Sequence, residues 1–322
     1  MSSMEFNEMI TTIRPTLADR RASVQRHPRR SGGSADPAVL ESIVVPVDGT
    51  AFAEHAIPLA VAIARHSGAT VKLVRAFTSP KKGTLHRMAR GWDTDDSRLR
   101  TAARRDLDRI RRRIAARVRD VSVVTCLSEA ATVVDAIGRV SKAADLVIMA
   151  SHGRSWLGRF FLGSVARDLL RSRRKPMIIV RGYDAPVDYS ADPVPQHLAI
   201  GLDGRKSSEA VLKAAGLVAR FANAKTTLIH VDDPGEFDER FAHSSPEGYL
   251  RWTAQVFAKS VPEVSTHVVR NAASPTHGLL KFAEESDADL IAVASRSTPP
   301  AFGSITENLL RSSRVPVLVV GE

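Results

Sequence analysis

Short apolar runs alternate with amphipathic stretches along most of the chain. The segment "ESIVVPVDGTAFAEHAIPLAVAIARHSGATVKLVRAF" (41–77) reads as an apolar strand, an Asp-Gly turn, an amphipathic helix and a second strand. The same sequence of features returns in "QHLAIGLDGRKSSEAVLKAAGLVARFANAKTTLIHVD" (196–232), so the chain is an internal repeat. Asp48 and Asp203 stand 155 residues apart, whereas the two "ADL" triplets stand 144 apart and Gly163 and Gly303 stand 140 apart. The second copy is therefore the shorter one. It loses residues first between its Asp and its "ADL", then again in the segment that ends at Gly303.

Each copy continues through a long helical segment, a strand, a helix, an apolar strand, a loop, a helix and a last strand. Strands alternating with helices predict a parallel sheet covered on both faces. The fold class expected is α/β, with two tandem doubly wound parallel-sheet domains. Domains are expected at 39–182 and 196–322, joined by a proline-rich linker over 183–195. Residues 1–38 are polar, with "QRHPRRSGGSADP" giving no strand or helix period. They are expected to form a mobile extension with a short N-terminal helix. The terminal runs "KPMIIV" and "VPVLVV" are short and β-branched, each with a proline, as suits an edge strand. An exposed apolar edge invites pairing, so the two copies are expected to pack together through these strands. A further homodimer is left open.

Composition narrows the class. The chain has 322 residues, 43% hydrophobic and 25% charged, as in globular proteins. No apolar run approaches the ~20 residues that span a bilayer, so no membrane association is expected. The N-terminus lacks a basic start and apolar centre, which points to a cytoplasmic location. One cysteine, Cys126, excludes an intrachain disulfide, and its setting in "SVVTCLSEA" is that of a strand residue. The net charge of +11 is concentrated in "RLRTAARRDLDRIRRRIAARVR" (98–119), which holds ten arginines. Leu107, Ile110, Ile114 and Val118 keep a helical period there and predict one packed face. The arginines then either form a solvated face or meet an anionic partner such as nucleic acid. No aromatic interleaving or zinc spacing favours nucleic acid.

The chemistry is concentrated in "MASHGRSWLGRFFLGSVARDLL" (149–170). A glycine-rich turn between a strand and a helix brings backbone N–H groups close to an anion, and the helix N-terminus adds donors and a positive dipole. Gly153 would turn the chain off the strand. Gly163 and Ser164 would open the helix "VARDLLRSRR", with Ser164 as cap and hydroxyl donor. Arg154 and Arg159 lie in the same loop. Ligands of parallel sheets bind at the carboxyl ends of the strands, near the switch in strand order. Asp48 leaves a strand at that same edge.

Gly153, nine residues, then Gly163-Ser164, set between "ADLVIMASH" and "KPMIIV", resembles the universal stress protein family. The motif of its nucleotide-binding members is G-x2-G-x9-G-[ST]. The opening "VVPVDGT" is similar too, and the resemblance covers 41–181 and 196–321. It implies a sheet like that of the adenine-nucleotide α-hydrolases and a binding site for ATP, with or without Mg2+. Carried over by position, Pro46, Val47 and Asp48 would contact the nucleoside, and Ala76 would meet adenine through its backbone. Met149 and His152 would line the site, while Gly153, Gly163, Ser164 and Val165 would hold the phosphates. The first motif glycine is Ala150 here. The second copy keeps Asp203 and Gly303-Ser304, but has Gly201 in place of the proline and Ala294 and Ser297 in place of glycines. Pro299 and Pro300 remove two backbone donors from its loop. One ATP per chain, in the first copy, is the expectation. No catalytic residue and no metal site are expected from the residues, and any ATP hydrolysis would be slow and incidental.

Overall fold

In a computed structural model the described residues are 10–13, 39–78, 93–151, 164–173, 175–232, 245–295 and 304–321. The strands of the first copy are β2 (Ser42–Val47), β3 (Thr70–Phe77), β4 (Val123–Glu129), β5 (Leu146–Ser151) and β6 (Met177–Arg181). Those of the second are β7 (His197–Gly201), β8 (Lys225–Val231), β9 (Glu263–Val269), β10 (Leu290–Ser295) and β11 (Val317–Gly321). Each copy orders its strands identically, as β4-β3-β2-β5-β6 and β9-β8-β7-β10-β11, all parallel. The order reverses between β2 and β5, and between β7 and β10. Those are the two switch points.

The terminal strands pair as expected. β6 and β11 run antiparallel, with Ile178 opposite Leu318, and merge the copies into one sheet of eleven strands. Helices flank the first copy as α1 (Ala51–Glu54), α2 (Ile57–Ser67), α3 (Asp93–Ala115), α4 (Val133–Ser141) and α5 (Ser164–Arg173). In the second they are α6 (Ala210–Ala222), α7 (Pro246–Phe257), α8 (Pro275–Glu285) and α9 (Ser304–Ser312). On one face α2 packs against α6 across the junction, and a single buried cluster runs from Ile43 and Ile110 through to Leu198 and Val211. On the other face α5 reaches β11, and Arg167 stands 4.0 Å from Glu307 of α9.

The repeated "ADL" has a structural reason. Asp145 Oδ2 accepts the backbone N–H groups of Glu41 (2.9 Å) and Ser42 (3.0 Å). Asp289 accepts those of Gln196 (2.8 Å) and His197 (3.1 Å) in the same way. In both copies this carboxylate pins the start of the central strand beside the strand it introduces. Charge-assisted bonds of this kind are the stronger ones.

The N-terminal segment departs from expectation. Ile10–Ile13, inside the span read as a mobile extension, form a strand, β1, paired antiparallel to β4 with Ile10 opposite Cys126. The sequence "ITTI" is β-branched throughout and too short to signal a strand alone. It finds its hydrogen bonds on the edge that β4 would otherwise present. At the opposite end of the sheet β9 is a polar edge, with Glu263, Ser265, Thr266 and His267 exposed, a composition that discourages pairing between chains. Cys126 lies buried in β4, and burial pushes its thiol above the ordinary range.

Candidate functional site

A cavity of about 450 Å³ opens at the switch point of the first copy, at the carboxyl ends of β2, β3 and β5. That volume falls within the ~300–1,000 Å³ usual for small-molecule sites. Pro46, Val47 and Asp48 line it from β2 and its exit, Arg75 and Ala76 from β3, and Met149 and Ala150 from β5. Ala53 of α1, Val133 and Ile137 of α4, and Val165 and Ala166 of α5 complete the wall. The surface is largely apolar, with Asp48 and Arg75 as its charged members.

Asp48 is held in place by the turn that follows it. Its Oδ1 accepts the Thr50 N–H at 2.9 Å and the Thr50 hydroxyl at 2.5 Å, and that hydroxyl accepts the Ala53 N–H to cap α1. Gly49 between them has φ +85°, a left-handed conformation that favours glycine. A Cβ there would also lie 2.9 Å from Asp106 Oδ2 and 3.0 Å from Arg75 Nη1. The backbone conformation is what demands glycine, since both neighbours are the ends of flexible side chains.

Of the positions read from the sequence, Pro46, Val47, Asp48, Ala76, Met149 and Val165 converge on this cavity. Ser164 is the first residue of α5. His152, Gly153, Gly163, Arg154 and Arg159 lie outside the described residues, as do Ser297, Pro299, Pro300 and Gly303 of the second copy. Sequence reasoning missed Arg75, Val133 and Ile137. Val133 and Ile137 are one helical turn apart, which marks an apolar face without saying what it faces. For Arg75 the signal was a charge in the otherwise apolar tail of "TVKLVRAF".

The equivalent place in the second copy carries bulkier side chains among its described residues. Gly201 stands where Pro46 does, and a Cβ on it would lie 3.0 Å from Leu279 Cδ1 and 3.2 Å from Val293 Cγ1. Val231 replaces Ala76. A Cβ on Gly278 would lie 2.8 Å from Val231 Cγ1, so glycine at that point lets α8 sit directly on β8. Leu279 and Val293 are accordingly buried, at 4% and 5% exposure. Asp203 Oδ1 accepts the Arg205 N–H at 3.0 Å, with the Arg205 guanidinium 3.9 Å from Oδ2.

The arginine-rich segment is helical and packs with Leu107, Ile110, Ile114 and Val118 buried, as expected. Its arginines divide. Arg113 Nη1 reaches Glu54 Oε2 at 3.0 Å, Arg109 stands 3.9 Å from the same carboxylate, and Arg100 bonds Glu129 at 2.8 Å. The Tyr189 hydroxyl, from the linker, donates to Glu54, while Arg113 lies over the Tyr189 ring at 4.9 Å. Burial first and the Glu54 carboxylate second hold the Tyr189 phenol above its ordinary range. Arg98, Arg104, Arg105, Arg112, Arg117 and Arg119 are exposed.

The profile of the universal stress protein family matches residues 40–181 and again 195–321. The chain belongs to the universal stress protein family. A universal stress protein of Mycolicibacterium smegmatis is 28% identical over 60% of this chain and 66% of its own length, so the match leaves about a third of that relative uncovered. Among solved structures, a universal stress protein from Archaeoglobus fulgidus DSM 4304 overlays 87% of this chain and 98% of its own, at a TM-score of 0.62 and 18% identity. A smaller universal stress protein from Archaeoglobus fulgidus, solved in complex with dAMP, aligns with 39% of this chain and 98% of its own, at a TM-score of 0.33 and 21% identity. The two profile matches coincide with the two halves of the sheet. Among the described residues no helix is long and apolar enough to cross a membrane, and no group of three or more His, Cys, Asp or Glu side chains could hold a metal ion.

Proposed function

We propose that this universal stress protein binds one ATP per chain in its first copy, in the cytoplasm, and that occupancy sets its conformation or choice of partner under stress. The observation that carries the reading is the contrast between the copies. One switch point holds a cavity of about 450 Å³ rimmed by Asp48, and at the other Leu279 and Val293 crowd Gly201 while Val231 packs against Gly278. An apolar slot suits a flat base, a carboxylate at its rim suits ribose hydroxyls, and the N-terminus of α5 suits phosphate. Pro46, Val47 and Ala76 would hold the base, Asp48 the ribose, and the Gly153 to Ser164 loop with Val165 the phosphates. In this reading the protein is a binding protein, not an enzyme.

The same element that follows Asp48 reaches the linker. α1 begins at Ala51 and ends at Glu54, the carboxylate held by Arg113 and Tyr189. A shift of the Asp48–Thr50 turn is thus passed along one helical turn to the segment joining the copies. Mass spectrometry of the ligand released by denaturing freshly purified protein tests the reading. ATP at about one equivalent is the expected result. ADP alone would indicate turnover, and absence of nucleotide followed by no uptake of added ATP would overturn the proposal.

A further inference from the structure

The arginines of α3 that stay outside the Glu54 cluster form a surface of their own. From Arg98 to Arg119 the sequence holds ten arginines and two aspartates. Both aspartates are engaged within the helix, Asp106 with Arg109 and Asp108 with Arg111, each at 3.4 Å. Arg98, Arg105 and Arg112 recur at every seventh residue, and all three are exposed. At 1.5 Å per residue they stand about 10.5 Å apart, and a helix drifts only about 20° over seven residues. They therefore share one outward stripe about 21 Å long. Thr101, Ala102, Arg109 and Ala116 are exposed on the same side, so the stripe carries no carboxylate. Arg112 Nε donates to the Asp108 carbonyl at 3.3 Å, while Arg98, Arg104, Arg105 and Arg119 make no ion pair among the described residues.

The fold does not require this face. α7 is the counterpart of α3, packed on β8 and β9 as α3 is on β3 and β4. It carries one arginine, Arg251, and one glutamate, Glu247, which Arg270 holds. The packing role is met there without a basic surface. Like charges at i and i+4, such as Arg100 with Arg104 and Arg105 with Arg109, oppose helix formation. The first copy bears that repulsion and the second does not, which calls for a counter-charge from outside.

We infer that the outward stripe of α3 docks on the phosphodiester backbone of a nucleic-acid duplex, without reading its sequence. The inference does not rest on the nucleotide cavity. Arginine offers phosphate oxygens a planar fork where lysine offers a point charge, and residues 98–119 include no lysine. A stripe of about 21 Å spans about six base pairs, at 3.4 Å for each phosphate along a strand. The segment has neither the Asn and Gln that read adenine edges nor the aromatic rings that stack single-stranded bases. A protein interface needs an apolar core, and a membrane-surface helix needs an apolar face to insert. Here Leu107, Ile110, Ile114 and Val118 are buried against the sheet, and Leu99 is the one exposed large apolar residue among the described residues of α3.

Fluorescence anisotropy of the full chain with labelled duplexes of roughly 24 base pairs, in about 50 to 200 mM NaCl, tests this. DNA of two unrelated sequences and RNA of one of them are the probes. About five neutralised phosphates predict a loss of roughly 10²- to 10³-fold in affinity across that salt range. Arg98→Gln/Arg105→Gln/Arg112→Gln is expected to lower the salt slope by about 2 to 3 and to melt no lower than the natural protein. Lysine at the same three positions keeps the charge and is expected to keep the slope. Lys213→Gln/Arg251→Gln/Lys259→Gln removes equal charge from exposed positions of the second copy and is expected to leave the slope unchanged. Binding of either duplex in this pattern, alike for both DNA sequences, supports the inference, and the tighter duplex names the source. No binding at the lowest salt, a slope unmoved by the first variant, or equal losses from both glutamine variants would overturn it. So would tighter capture by vesicles of phosphatidylserine and phosphatidylcholine, or displacement of the duplex by a lower charge concentration of polyglutamate.

Discussion

Val231 occupies in the second copy the place that Ala76 holds in the first, and its γ-methyls meet α8 where Gly278 leaves room for them. Ala76 instead borders open space. Ala76→Val should therefore bring to the first copy the bulk found in the second, and an overpacking cost of about 1–3 kcal/mol corresponds to a roughly 5- to 150-fold loss of ATP affinity. Calorimetry reads that loss directly, and ATP binding as tight as in the natural protein would show that the base does not lie against β3. His197 carries a second prediction. It is buried, its Nδ1–H donates to the Ser286 carbonyl (3.1 Å), and its Nε2 accepts from the Thr227 hydroxyl (2.9 Å), so the neutral ring is fully used. Burial lowers its pKa, with Lys225 acting the same way and Ser286, Asp289 and Glu263 opposing. A depressed folded pKa means that the unfolded chain takes up a proton the folded one resists. Stability should hold above about pH 6.5, the unfolded value, and fall as the pH drops below it. Thermal melts from pH 7.5 to 5.5 should show a smaller acid loss for His197→Gln than for the natural protein; equal losses would place the effect elsewhere.

At the scale of elements, α3 and the linker explain much of the arginine-rich sequence without an external partner. Arg113, Arg109 and Tyr189 meet on Glu54, whose side chain is 4% exposed, and Arg65 of α2 holds Asp120 at 2.8 Å and linker Asp192 at 2.6 Å. The linker is thus fastened to the first copy at two points. Tyr189→Phe removes one hydrogen bond to a buried carboxylate and should cost about 1.5–3 kcal/mol, read as a lower denaturation midpoint. A midpoint within error of the natural protein would mean that the arginines alone satisfy Glu54. The helical period of 98–119 was legible, because its apolar stripe is local in sequence. The partners of its arginines were not, because Glu54 and Tyr189 lie far away in the chain and a charge pattern does not name its counter-charge. Val133 and Ile137 escaped notice for a related reason. An apolar stripe fixes which side of a helix is buried, while the roll of α4 over the sheet decides which of those residues border a crevice.

Over the whole molecule, the repeat, the parallel sheet and the pairing of "KPMIIV" with "VPVLVV" could all be read in advance. They depend on period, order and an apolar edge that needs cover. The strand "ITTI" could not, since four residues carry too little pattern and their partner is an edge on the other side of the chain. The repeat also made the asymmetry between the copies visible. Gly201 in place of Pro46 marked the second copy as altered, but only the packing shows Leu279 set against Gly201 and Val231 against Gly278. Two copies joined by one antiparallel strand pair, with a cavity at the first switch point, are proposed to hold a single nucleotide per chain. Titration calorimetry of the full-length protein with ATP tests that claim most directly. The account predicts one site per chain, with no second binding event of similar affinity. Two comparable sites per chain, or none, would contradict it.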